Sequence, residues 1–197
     1  MKVSADADVA DYLYGEYCVL KHLLHKPRFL RVYGDGLFDV NGYHKGLLNE
    51  LKGCSLKEYF CHTETALGVT VMAEVAISLL CHSETLHNSG FVHTDISVDN
   101  NLLDRGFVYD RTPPRLFIIV LGMSQCLGST SQTRKKDLIH LKDMLIEIVN
   151  ACPETTSLED MLKLFKQYLN ELSHDEIPDY NSFRNYFIPI SPVKLSN

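Results

Sequence analysis

The stretch His93-Thr94-Asp95-Ile96-Ser97-Val98-Asp99-Asn100 decides how this chain is read. It follows Gly90-Phe91-Val92 and runs into a short apolar segment, Asn101 to Leu103. Asp95 and Asn100 are five residues apart within one loop. Phosphoryl transfer asks a loop for a carboxylate that accepts a hydroxyl proton, with a second side-chain oxygen nearby for magnesium. Asp and Asn also stabilise tight loops through side-chain bonds to the backbone. That structural alternative stands beside the chemical one.

Outward from the loop, the pattern predicts short strands first and helices afterwards. Tyr12 to Leu24 reads as a helix, with Leu13, Tyr17, Leu20 and Leu24 on one face and Lys26-Pro27 closing it. Phe29 to Tyr33 and Gly46 to Leu51 are strand candidates, separated by a Gly-, Asp- and Asn-rich loop from Gly34 to Gly42. Ser55-Leu56-Lys57-Glu58 has the spacing of a capping box and opens a short helix. Ala66 to His87 is long and mostly apolar, which favours a buried helix. Beyond the central loop, Leu116 to Val120 reads as a strand after the Pro113-Pro114 turn. Leu138 to Ile148 and Leu158 to Leu172 are amphipathic helices, and Pro178 to Phe187 is a shorter one. The expected class is α+β, mainly α.

Bulk properties narrow the functional classes. The 197 residues are 45% hydrophobic and 22% charged, a globular balance with room for a real core. The net charge is −6, and Arg134-Lys135-Lys136 is the one dense basic run. An extended nucleic-acid groove needs many phosphate-neutralising cations, so no nucleic-acid partner is expected. The six cysteines are scattered without a C-x-x-C pair, and Met1 to Asp11 does not resemble a signal peptide. Reduced thiols in a cytoplasmic or nuclear protein are the expectation. No apolar stretch is read as approaching the ~20 residues of a membrane span, so no membrane partner is expected. Cys18, His22 and His25 lie close on one helix turn, but no second cluster completes four zinc donors.

Several segments, in order along the chain, carry a resemblance. The loop resembles the H-R-D-x-x-x-x-N pattern of protein kinases. Met1-Lys2-Val3 resembles the end of a strand whose lysine holds nucleotide phosphates, and Glu16, fourteen residues later, resembles the glutamate that pairs with it. N-E-L-K-G-C-S-L-K-E-Y-F (49–60) resembles a hinge and the helix after it. L-H-N-S-G-F-V-H-T-D (86–95), R-K-K-D-L-I-H-L (134–141) and D-E-I-P-D-Y-N-S-F-R-N-Y-F (175–187) are similar to successive segments of the helical lobe. Together they resemble the casein kinase I superfamily over nearly the whole chain, and the P-D-Y segment favours casein kinase I over the vaccinia-related kinases.

The resemblance implies a protein-kinase-like fold in two parts. Residues 1–51 would be a reduced N-lobe holding the end of strand three, helix αC and strands four and five. Residues 52–197 would be the helical C-lobe, with a shortened activation segment and αG region. It implies Asp95 as the catalytic carboxylate, Lys2, Glu16 and Asn100 as nucleotide-binding groups, and Asn100 as a metal ligand. His93 and Asp137 would be structural, Asp137 accepting backbone hydrogen bonds from the His-x-Asp turn. Leu20, His93 and Leu121 resemble members of the hydrophobic spine that links the lobes.

The departures fall on chemical positions. The Gly-rich strand pair that covers phosphates in that family would precede Lys2, so a truncated domain is expected, with Lys2 lacking a sheet edge to pair with. Val120-Leu121-Gly122 stands where the family has Asp-Phe-Gly, Thr94 replaces the arginine of His-Arg-Asp, and Ser97 replaces a lysine. Valine offers no oxygen to a hard cation. Only fourteen residues separate Gly122 from Asp137, too few for the family's activation segment. The expectation is therefore a catalytically impaired pseudokinase, a serine/threonine kinase homologue serving as a binding or regulatory module. Its partner would be another protein: a kinase, a kinase substrate or a regulator. The alternative is a residual phosphotransferase using ATP and magnesium through Asp95 and Asn100. A third reading is a truncated product of a decayed gene.

Overall fold

The long apolar segment ahead of Gly90 forms a helix, and the rest of the chain is arranged around it. A computed structural model describes residues 2–4, 7–27, 29–40, 44–49, 52–62, 69–104, 116–128, 133–151 and 156–188. The class is α+β, mostly helical, and compatible with part of a kinase-like fold.

Strand β1 (Lys2–Ser4) is followed by helix α1 (Ala7–His22), strand β2 (Val32–Val40) and strand β3 (His44–Asn49). The three strands form one antiparallel sheet in the order β1-β3-β2, with Lys2 opposite Leu47. Lys2 therefore does have a sheet edge to pair with, contrary to expectation, because β3 supplies it. The expected loop from Gly34 is also corrected. Gly34 to Val40 belong to β2, with Leu37 opposite Leu47 and Asp39 opposite Lys45. A register shift between Val32 and Leu37 takes up Gly34-Asp35-Gly36 as an irregularity in the strand. Cross-strand pairing here outweighs local turn propensity. Helix α1 begins five residues before the expected Tyr12 and ends at His22, so Leu23 is buried and Leu24 is 45% exposed.

Helix α2 (Leu56–His62) opens on the expected capping box. The Ser55 amide donates to Glu58 Oε2 at 2.8 Å, and the Glu58 amide donates to Ser55 Oγ at 3.1 Å. Helix α3 (Val69–Asn88) buries Met72, Leu79, Leu80 and Leu86 together with Ser78, His82, Ser83 and His87. At 20 residues it is long and apolar enough to cross a bilayer by length and composition, which corrects the sequence estimate. It is 61% buried inside the protein, as the core helix of a soluble fold also is.

Two short antiparallel pairs follow, β4 (Phe91–Val92) with β7 (Gln125–Cys126), and β5 (Asn101–Leu103) with β6 (Leu116–Ile118). They bring the 93–100 loop beside the 3-10 turn Leu121–Met123. Helices α4 (Arg134–Ala151), α5 (Thr156–Glu171) and α6 (Tyr180–Phe187) complete the chain. Asp179 caps α6 by accepting from the Ser182 amide at 3.1 Å.

The core is in two parts. The larger unites α2 to α6 through residues such as Leu79, Leu80, Leu141, Phe165, Phe183 and Phe187. The smaller gathers Leu13, Leu20 and Leu23 of α1 with Leu47, Phe29, Ile118 and Leu121. Helix α3 reaches both, since its Leu86 belongs to the smaller cluster. Met1, Gly42, Glu50, Leu51, Ala66 and Pro113-Pro114, named above, lie outside the described residues.

Candidate functional site

The His93–Asn100 loop is anchored from below by a buried carboxylate. Asp137, on the first turn of α4, is 1% exposed. Its Oδ2 accepts the His93 amide at 2.6 Å and its Oδ1 accepts the Thr94 amide at 2.8 Å. His87 Nε2 on α3 adds a third bond at 2.8 Å. Burial alone would raise the Asp137 pKa, but the bonds from His87 and the two amides outweigh it and hold the carboxyl below the ordinary range. The other ring nitrogen of His87 meets the Tyr180 hydroxyl, so α3, α4 and α6 join in one buried polar chain. Burial pushes the Tyr180 phenol far above its usual range, which keeps it protonated.

His93 is fully buried and neutral. Its Nε2 donates to the Ile119 carbonyl at 3.1 Å, and its Nδ1 accepts the Asp95 amide at 3.2 Å. Burial lowers its pKa more than the nearby Asp137, Asp95 and Glu16 carboxylates raise it. Thr94 takes a left-handed conformation, φ 70°, and its hydroxyl donates to the Met123 carbonyl at 2.9 Å. Thr94 thus ties the loop to the Val120–Met123 turn.

Asp95 and Asn100 are brought together at the mouth of the loop. The Asn100 amide group donates to Asp95 Oδ2 at 2.7 Å and to the Asp95 carbonyl at 3.0 Å. Asp95 is exposed and Asn100 is 9% exposed. The Ile119 amide donates to the Asn100 carbonyl at 2.9 Å, which sets Val120 just beyond them. Val120 has φ 62° and ψ 46°, left-handed geometry that a β-branched residue rarely takes. Leu121 behind it is fully buried and shares a cluster with Leu20.

The remaining expected residues are placed as follows. Glu16 on α1 is 3% exposed and lies near enough to His93 to act on its charge. The Lys2 backbone lies in β1, while its side chain is outside the described residues. His87 and Tyr180 were missed as site residues. Both stood in segments quoted for their resemblance, and a buried imidazole or phenol requires a hydrogen-bond partner.

Magnesium suits this donor set poorly. Asp95 and Asn100 offer oxygens, whereas Val120, which follows the Ile119 amide bonded to the Asn100 carbonyl, offers none from its side chain. Among the described residues no three His, Cys, Asp or Glu side chains are placed to share an ion. Mg²⁺ asks for near-octahedral oxygen coordination, usually with carboxylates and substrate phosphates supplying part of it.

No protein-family model matches the chain. A curated protein of Encephalitozoon cuniculi (strain GB-M1), described as "Probable casein kinase I homolog", is 32% identical over 112 residues. The match covers 56% of this chain and 34% of that protein, so the chain matches about a third of that relative's length. This similarity supports a kinase-like relationship.

Proposed function

We propose that this chain is a casein kinase I-like homologue impaired in phosphoryl transfer, acting as a binding or regulatory module for another protein. The observation that carries the reading is Val120. It occupies a strained left-handed position beside Asp95 and Asn100, where a metal-binding carboxylate would serve catalysis and valine contributes nothing. Much of what a kinase does for this reaction is metal positioning and charge neutralisation, so a missing principal ligand removes the main lever. Meanwhile the packing and hydrogen bonds around His93, Asp137 and Leu121 are in place. This pattern supports retained shape with lost chemistry.

A second reading is kept because Asp95 is exposed and held by Asn100. A residual phosphotransferase would use that pair with ATP and one metal ion. Phosphate incorporation that disappears in Asp95→Asn would favour it.

The deciding experiment is a thermal shift with ATP alone and with ATP plus Mg²⁺ or Mn²⁺. A ligand at a hundredfold excess over its Kd adds about 2.7 kcal/mol to the folded state, which is easily seen. The expected result is no metal-dependent shift in a cooperatively folded protein. A metal-dependent shift abolished by Asn100→Ala would overturn the reading.

A further inference from the structure

Helix α6 is only eight residues long, yet it is fixed from several sides. Asp179 caps it, accepting the Ser182 amide at 3.1 Å and the Ser182 hydroxyl at 2.6 Å. Phe183 meets Phe165 and Tyr168 edge-on, with ring centroids 4.7 Å and 4.3 Å away. Arg184 reaches across to Glu84 on α3. These contacts set the position of Tyr180, the first residue of the helix, which is buried and whose hydroxyl meets Nδ1 of His87.

Which atoms can donate fixes the order of protons from Tyr180 to Asp137. The ionised Asp137 carboxylate only accepts, so His87 carries its proton on Nε2. A neutral imidazole then accepts at Nδ1, and the Tyr180 hydroxyl is the donor that satisfies it. Without that hydroxyl the ring can serve Asp137 only by leaving Nδ1 unpaired in the core, with the penalty of an orphaned polar atom.

Asp137 in turn holds a turn that the backbone resists. Its Oδ1 binds the amide of Thr94, a β-branched residue at φ 70°, and its Oδ2 is shared between His87 and the His93 amide. A non-glycine residue keeps such a conformation only where its surroundings over-determine it. The His93 imidazole accepts the Asp95 amide, so the orientation of the carboxylate carries on to the mouth of the loop.

We infer that Tyr180 is a positioning residue for the 93–100 loop: its hydroxyl fixes the tautomer of His87, His87 orients Asp137, and the docking of α6 thereby holds the Thr94 turn. A partner that displaced α6 would release the loop without touching it. The device acts whatever the loop binds, so the inference goes beyond the proposed function and the nucleotide thermal shift does not decide it.

The test is amide hydrogen exchange on the full chain, resolved by NMR, in Tyr180→Phe, which removes one oxygen and keeps the ring. The readout is the exchange rate of the His93 and Thr94 amides divided by that of Leu79 and Leu80 in the core of α3. Losing one buried hydrogen bond is expected to raise this ratio about tenfold. A general loss of stability would accelerate all four amides together and leave the ratio where it was or lower. In a His87→Gln background the side-chain amide offers Asp137 a donor that has no tautomer, so adding Tyr180→Phe should leave the ratio unchanged. A thermal melt checks the folding of each variant. If Tyr180→Phe does not fold, Asp179→Ala takes its place, since it removes the exposed cap of α6 and should raise the ratio about fivefold. A ratio unmoved by Tyr180→Phe, or one that rises when Tyr180→Phe is added to His87→Gln, would overturn the inference.

Discussion

Val120 holds a conformation that its β-branched side chain opposes, at a cost of about 1–2 kcal/mol. Asparagine tolerates left-handed geometry far better. Val120→Asn should therefore stabilise the fold by about 1 kcal/mol, a rise in Tm of about 2–4 °C for a chain of this size. An unchanged or lower Tm would mean that packing of the valine methyls outweighs the strain. His93 makes a second prediction, this one in pH. Its folded pKa lies below the unfolded value of about 6.5, so between the two the unfolded chain binds more protons. Its contribution is complete above about pH 6.5 and is lost as pH falls toward the folded pKa. Asp137 works in the same direction lower down, because a depressed carboxyl pKa withdraws stability only below about pH 4. Urea titrations from about pH 7 to about pH 5 should show stability falling, and the slope should flatten in His93→Asn. A parallel slope in that variant would assign the effect to other groups.

Helix α1 rests directly on the turn that carries Leu121 and Gly122. A Cβ built on Gly15 would come 3.2 Å from the Gly122 carbonyl oxygen. One built on Gly122 would overlap the Tyr12 carbonyl oxygen and stand 3.0 Å from its carbon. Both obstacles are backbone and cannot rotate away. Gly122→Ala should force α1 off the turn and cost about 1–3 kcal/mol, as overpacking commonly does. A urea unfolding midpoint left unchanged by Gly122→Ala would remove the packing explanation. On the opposite side, Lys135 Nζ donates to the Leu172 carbonyl at 2.6 Å, and Arg184 pairs with Glu84 at 2.5 Å. Together with the His87–Asp137–Tyr180 chain, these contacts tie α3, α4, α5 and α6 into one block.

Across the whole molecule, the two apolar clusters differ in depth. Helix α3 has buried residues along nearly its full length, whereas α1 leaves Tyr12 50% and Tyr14 54% exposed. Local opening is easiest where few apolar contacts must break. Hydrogen exchange should show amides around Leu79 and Leu80 protected to the limit of global unfolding, with α1 amides around Leu13 to Val19 exchanging through a cheaper opening. Equal protection would make the molecule one cooperative unit joined through α3.

The helices, the capping box and the neighbouring positions of Asp95 and Asn100 were legible because they rest on interactions within a few residues. Apolar spacing marks a buried face, Ser55 and Glu58 satisfy each other's amides, and a loop of five residues brings two side chains into reach. Valine at position 120 was visible as a letter, but its left-handed backbone was not. Gly34 to Val40 read as a loop because turn propensity is local, whereas the strand exists through pairing with β3. The union of His87 with Asp137 and Tyr180 spans separations of 50 and 93 residues. Short-range forces are written along the chain, but contacts between distant residues appear only once the core has closed the intervening loops and removed the polar groups between them from water.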